Sequence, residues 1–174
     1  MLGFRKLTQA LLLGAMFTQG VIVSAHANQT PLQQVTRNPQ TAPADAVLEQ
    51  LHQSAAAADW QQYFRLFTED AGFIGTDITE HWNMKDFYDY AKRSQGWHYL
   101  PQSRTLVRHG DVVVFDELLQ NSNYGLCRGT GTIVLTPDGW KILQYHLSFP
   151  IPNNLVPRIT DQIKVFRKKA AKSS

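Results

Sequence analysis

In "LCRGTGTIVLTPDGWKILQYHLSF", residues 126–149, apolar and polar residues alternate with a period of two on both sides of Pro137-Asp138-Gly139. That pattern reads as two long strands joined by a tight turn. Side chains alternate along a strand, so the length of the connecting loop determines which residues of the two strands share a face. A type I turn closed by a left-handed glycine is a three-residue loop and sets Thr136 opposite Trp140. Arg128, Thr130, Thr132 and Val134 then share a face with Trp140, Ile142, Gln144, His146 and Ser148. The other face carries Cys127, Gly129, Gly131, Ile133 and Leu135 with Leu143, Tyr145, Leu147 and Phe149. The small, apolar face suits packing against helices. The polar row then looks outward, where its mixture of Arg, Thr, Gln and His with Trp and Ile suits a partly polar subunit interface. A two-residue loop reverses this pairing and places His146 beside Gly129 and Gly131, whose missing side chains would leave room for a ligand.

The same period of two extends back to Gly96, with strands expected near Trp97–Arg108 and Asp111–Gln120, turned at His109-Gly110 and at Asn121–Tyr124. Upstream the period is helical. Val47, Leu48, Leu51 and Ala55 recur at spacings of three and four from a start at Asp45. Asp59-Trp60-Gln61-Gln62 resembles a capping box ahead of an apolar stripe of Trp60, Tyr63, Phe64 and Phe67. After a short extended piece, Gly72–Thr76, Asn83 caps a third helix whose inner face is Phe87, Tyr90 and Ala91, and Trp82 with Phe87 has the spacing of a hydrophobic staple. Helices first and a strand meander afterwards predict an α+β fold, with three N-terminal helices packed on one face of a curved antiparallel sheet.

The two ends of the 174-residue chain differ in character from this middle. Residues 1–27 place Arg5 and Lys6 before an apolar stretch and end in Ala25-His26-Ala27, the pattern of a secretory signal peptide. The apolar stretch is broken by Thr18, Gln19 and Gly20, which argues against a membrane anchor. Residues 28–44, rich in Pro and amides, read as a disordered linker, residues 45–153 as one domain, and residues 154–174 as a basic C-terminal helix or tail. The net charge of +3 comes from the ends: residues 28–163 carry 10 basic and 14 acidic side chains. A mildly acidic body on an exported, periplasmic or secreted chain speaks against nucleic acid as a partner. Cys127 is the single cysteine, so no disulfide closes within the chain, and a small buried hydrophobe is its expected role.

The element order, together with "FIGTDITEHW" (73–82), "GDVVVFDE" (110–117), "RGTGTIVL" (128–135) and "GWKILQYHLSFPIPN" (139–153), resembles the SnoaL-like branch of the nuclear transport factor-like superfamily. That superfamily includes the ketosteroid isomerases and the association domain of calmodulin-dependent kinases. The resemblance implies a cone-shaped roll with a cavity between helices and sheet, dimerised through the outer side of the sheet. It implies a fold more firmly than an activity, because one fold hosts many functions. Isomerase chemistry needs a carboxylate base and buried donors for an oxyanion. Asp77 lies near where the isomerases keep their base, but the place of their oxyanion tyrosine holds Leu51, which donates no hydrogen bond. Tyr63 or Tyr99 would have to supply the donor.

The candidate catalytic residues are therefore Asp77 as base, with Glu80 and His81 beside it, and Tyr99 or His146 as donor. Each has a plainer reading: Asp77 as a capping carboxylate, His146 as an interface histidine. Glu117 and Arg128 are expected to pair across neighbouring strands, as a structural pair or as an anchor for an anion. Trp82, Trp97, Tyr145 and Tyr63 are expected to line an apolar cavity or simply to fill the core. The scattered histidines form no helical pair four apart, and no phosphate loop or nucleophile elbow is present, so neither a metal nor a cofactor is expected. Three functions stay open: a homodimeric binder of a small, largely apolar ligand, a proton-transfer isomerase or cyclase acting on a carbonyl compound, and a ligand-free interaction module.

Overall fold

The computed structural model describes residues 38–172. The expected signal peptide and residues 28–37 of the expected linker lie outside the described residues. The element order is α1 (Ala42–Ala56), α2 (Trp60–Arg65), β1 (Phe67–Ile74), β2 (His81–Asn83), α3 (Met84–Ala91), β3 (Leu100–His109), β4 (Val112–Asn121), β5 (Gly125–Thr136), β6 (Gly139–Ser148), a 3-10 turn (Asn153–Leu155) and α4 (Val156–Ala170). No described helix is long and apolar enough to cross a membrane.

The helix starts follow their local chemistry. Asp59 caps α2 by accepting from the Gln62 N–H at 3.0 Å, and Asn83 caps α3 by accepting from the Asp86 N–H at 2.9 Å. Trp82, expected to staple onto Phe87, stacks on Tyr90 with centroids 5.4 Å apart. Helix α1 begins three residues before Asp45, inside the stretch read as linker, and Thr41 and Ala44 are buried. Pro43 misled that reading: within the first turn of a helix its missing N–H costs nothing and its fixed φ is already helical. Helix α2 ends at Arg65, so Phe67, assigned to its stripe, opens β1 instead.

The sheet has six strands in the order β2-β1-β6-β5-β4-β3, two more than the meander alone. β3 to β6 are antiparallel neighbours as expected, whereas β1 pairs with β6 in parallel, so the sheet is mixed rather than purely antiparallel. Register breaks in β1, β3 and β6 mark bulges, which bend strands and add twist. The result is a curved, unclosed sheet with α1, α2 and α3 on its inner side. Leu48, Leu51, Ala55, Tyr63 and Phe87 from the helices meet Val113, Phe115, Ile133, Ile142 and Tyr145 from the sheet, all buried. Cys127 is fully buried at the same layer of β5.

The β5–β6 hairpin combines both loop readings. Thr136 pairs with Gly139, so the loop is the two residues Pro137 and Asp138, with Gly139 at φ 102°. The Thr136 hydroxyl holds it, donating to Gly139 O at 2.8 Å and accepting from the Asp138 N–H at 3.2 Å. Leu143 is then the extra residue of a bulge, because Ile133 pairs with Ile142 while Thr132 pairs with Gln144. Beyond the bulge the pairing is that of a three-residue loop, with His146 opposite Thr130 and Ser148 opposite Arg128. Gln144, His146 and Ser148 therefore face away from the helices, while Trp140 and Ile142, assigned by sequence to that same outer row, turn inward, Ile142 being fully buried.

Candidate functional site

Helices and sheet enclose a cavity of about 280 Å³. Its wall is built from aromatic rings, and each ring is placed by a local feature of the chain. Tyr63 on α2 packs edge-on against Trp60, Phe87 and Trp97 with centroids 5.7, 6.1 and 5.9 Å away. Phe73 on β1 stacks between Phe87 at 4.0 Å and Tyr145 at 5.7 Å. Trp97 is anchored by its backbone N–H, which donates to Ala55 O at 2.9 Å at the end of α1. Gly96 makes that approach possible: at φ 109° it sits in the left-handed region, and a Cβ there would stand 2.9 Å from Ala56 O.

The buried side of the cavity has a polar foundation. Glu117 occupies the inner row of β4 between Phe115 and Leu119 and is fully buried. Its Oε1 accepts from His52 Nε2 on α1 at 2.9 Å and from the Tyr145 hydroxyl at 2.8 Å, and its Oε2 accepts from Arg104 Nε on β3 at 2.8 Å. Arg104 continues the network to Asp45 and, at 3.2 Å, to Glu49. Burial pushes the Glu117 carboxyl up, but the hydrogen bond and charge of His52, the charge of Arg104 and the Tyr145 hydroxyl outweigh it and hold the group below the ordinary carboxylate range. An ionised carboxylate only accepts, so His52 donates from Nε2 and its Nδ1 is left as the other polar atom of the ring. Among the described residues Glu117 and Arg104 lie behind the cavity wall, while His52 and Tyr145 belong to it. Burial, then the charge of Glu117 and its hydrogen bond, raise the Tyr145 phenol well above its ordinary range, so it stays a donor to Glu117.

Gly129, directly across from Glu117 on β5, makes room for this arrangement. A Cβ at Gly129 would overlap the Tyr145 hydroxyl and stand 3.0 Å from Glu117 Oε1. At Gly131 a Cβ would stand 2.8 Å from Phe115 Cζ. The space that these glycines leave is thus filled by Tyr145, Phe115 and the backbone carbonyl of Gln144, and His146 is on the other side of the sheet.

The rim carries a second polar feature. Glu80, at the end of the β1–β2 turn, lies over Gly75, where a Cβ would overlap its carboxylate, and accepts from the Asp77 N–H at 3.1 Å. Tyr99 lies in the wall as well; burial first, and then charges that include Glu80, push its phenol up to about 12. Opposite, Asn121 accepts from the N–H groups of Asn123 and Tyr124 at 2.9 and 3.1 Å and donates to His98 O at 3.0 Å, tying the β4–β5 turn to the segment that carries Trp97 and Tyr99.

Of the residues singled out from sequence, Trp82, Trp97, Tyr99, Tyr145 and Tyr63 are brought together in the wall. Glu80 belongs to the wall too, Glu117 lies behind it, and His81, Asp77, His146 and Arg128 are outside it. Asp77 is exposed and outside the cavity wall; its carboxylate accepts from the Thr79 hydroxyl at 2.6 Å and the Thr79 N–H at 2.9 Å, and the first of these chiefly lowers its pKa. Its carboxylate closes its own turn. His146 faces outward from β6, opposite Thr130. Arg128 is not the partner of Glu117: one position out of phase with Gly129, it faces outward and pairs with Asp116 at 3.1 Å. Sequence reasoning missed His52, Arg104 and Asn121, whereas Glu80, named beside Asp77, does lie in the cavity wall. The first two had a signal. Asp45, Leu48, His52 and Ala55 share one helical stripe, and a two-residue turn at Gly110-Asp111 places Arg104 opposite Glu117.

The family model of the SnoaL-like domain matches residues 44–152. The chain belongs to the SnoaL-like domain family. Among solved structures it is similar to a protein of unknown function from Pectobacterium atrosepticum, at 17% identity and a TM-score of 0.56, covering 63% of this chain and 90% of that one. It is similar also to an NTF2-like protein of unknown function from Pseudomonas putida, at 12% identity and a TM-score of 0.56, covering 66% and 90%. A third, an NTF2-like protein with a cystatin-like fold from Novosphingobium aromaticivorans, has 12% identity and a TM-score of 0.53, covering 62% and 80%. At such identities the likeness is one of fold. A search of the curated proteins found no match for the chain.

Proposed function

We propose that this domain binds a small, largely apolar molecule in the aromatic cavity, as an exported homodimer. The observation that carries the reading is the cavity of about 280 Å³, walled by Tyr63, Phe73, Phe87, Trp82 and Trp97 and provided with one imidazole, His52, held from behind by Glu117. Ligand sites are apolar pockets with a few placed polar groups, and a volume near the low end of their range suits a molecule of one or two rings. A ligand-free interaction module would have no use for such a hollow. Export rests on the leader pattern of residues 1–27. Dimerisation rests on the outer sheet face, where Val107 and Val114 are half-exposed beside each other and Thr132 and Gln144 continue the row. A face of that mixed character suits a subunit interface.

A second reading is favoured by one feature. His52 has the oriented-imidazole geometry of a general base, with a buried carboxylate fixing its tautomer. Proton transfer on a carbonyl compound would then run through His52 and not through Asp77. Tryptophan fluorescence titration with one- and two-ring compounds tests binding, and turnover lost in His52→Gln but kept in Asp77→Asn would establish the enzyme. Sedimentation of Val114→Lys tests the dimer: the variant is expected to sediment as a monomer, and an unchanged dimer would remove the outer face from consideration.

A further inference from the structure

We infer that the ligand of this cavity is an organic cation, a small amine or quaternary ammonium compound carrying a ring; the inference rests on the cavity being a ligand site and goes on to name its class. Three observations converge on it. The wall is rich in aromatic rings, Trp82, Tyr90, Trp97 and Tyr99 among them, and the negative face of an aromatic ring attracts a cation. Among the described residues no lysine or arginine belongs to the wall. The guanidinium of Arg104 is turned to Glu117, Asp45 and Glu49.

The polar atoms that do reach the cavity favour positive charge. Glu80 is held at the rim by the Asp77 N–H at 3.1 Å and by the room above Gly75, so its carboxylate is fixed rather than free to swing into solvent. His52 belongs to the wall as well, with its Nε2 engaged by Glu117. A carboxylate ligand would meet Glu80 at the entrance. A neutral ligand would fill the cavity but leave the carboxylate unused.

The test is calorimetry on the full-length chain with benzyltrimethylammonium, its neutral carbon isostere neopentylbenzene, and phenylacetate, each also run on Glu80→Gln. The glutamine oxygen still accepts from the Asp77 N–H, and equal thermal midpoints for the two proteins show that the rim is intact. The cation is expected to bind about tenfold more tightly than the isostere, and Glu80→Gln to remove about fivefold of that preference while leaving the isostere unchanged. Binding of the isostere or of phenylacetate as tight as that of the cation overturns the inference and leaves the binding function standing. No heat from any of the three up to about 10 mM, where even millimolar affinity would register, overturns the binding function and the inference with it.

Discussion

His52 Nε2 donates to Glu117 Oε1 across 2.9 Å, joining helix α1 to the middle of strand β4 behind the aromatic cavity. Glu117 has no exposed surface, and three side chains from three different elements converge on it. Removing its charge leaves the buried Arg104 without its ionic partner on the sheet. Glu117→Gln is expected to lower unfolding free energy by about 3 kcal/mol, the lower end for breaking a buried pair. Urea denaturation measures it, and a change below about 0.5 kcal/mol, typical of surface substitutions, would mean the network contributes nothing.

The same carboxylate makes stability depend on pH. Its pKa in the fold is held below the ordinary 4.5, so the unfolded chain takes up the proton first as pH falls. The stabilisation is fully present above pH 4.5 and is lost as pH drops toward the folded value. Thermal midpoints of the native chain and Glu117→Gln, followed from neutrality downward, should keep a constant gap and then close it in acid. A gap that widened in acid would reverse the assigned sign.

Gly129 bears on the network from the neighbouring strand. Gly129→Ala drives a methyl group into the Tyr145 hydroxyl, whose partner Glu117 is equally confined. The expected loss is about 1–3 kcal/mol, the usual range for overpacking a filled core, accompanied by a changed near-ultraviolet tyrosine signal. Gly72→Ala, also on a strand and with a Cβ that would meet nothing within 4 Å, serves as the comparison for an added methyl group alone.

Ligand binding should separate wall residues from those that sequence alone nominated. His52→Ala is expected to weaken binding of a ring compound about fivefold, the effect of one lost hydrogen bond, whereas Asp77→Asn and Arg128→Ala leave it unchanged. Quenching of the tryptophans reads this directly. Equal losses in all three variants would place the ligand somewhere other than the cavity.

The helices, the meander and the aromatic wall were legible because periodicity and turn chemistry are local. The capping residues Asp59 and Asn83 act within three positions of themselves, and a reader of the chain can see them. The site was legible only in part, because its polar half is made of long-range pairs. Arg104 and Asp45 are 59 residues apart, and His52 and Glu117 are 65. The bulge at Leu143 had no visible signature either, yet it sends Ile142 inward and His146 outward on one strand. Asp77 attracted notice as a carboxylate near a strand end, and only the geometry of Thr79 reveals that its charge is used within its own turn.

The most direct measurement is a crystal structure of the chain purified without denaturation from the cells that make it, with the electron density of the cavity examined. Flat density between Tyr145 and Trp97, within hydrogen-bonding distance of His52 and not continuous with protein, is the result expected of a binding domain. A cavity closed by its own side chains, with Trp97 or Tyr124 turned into the space, would contradict it.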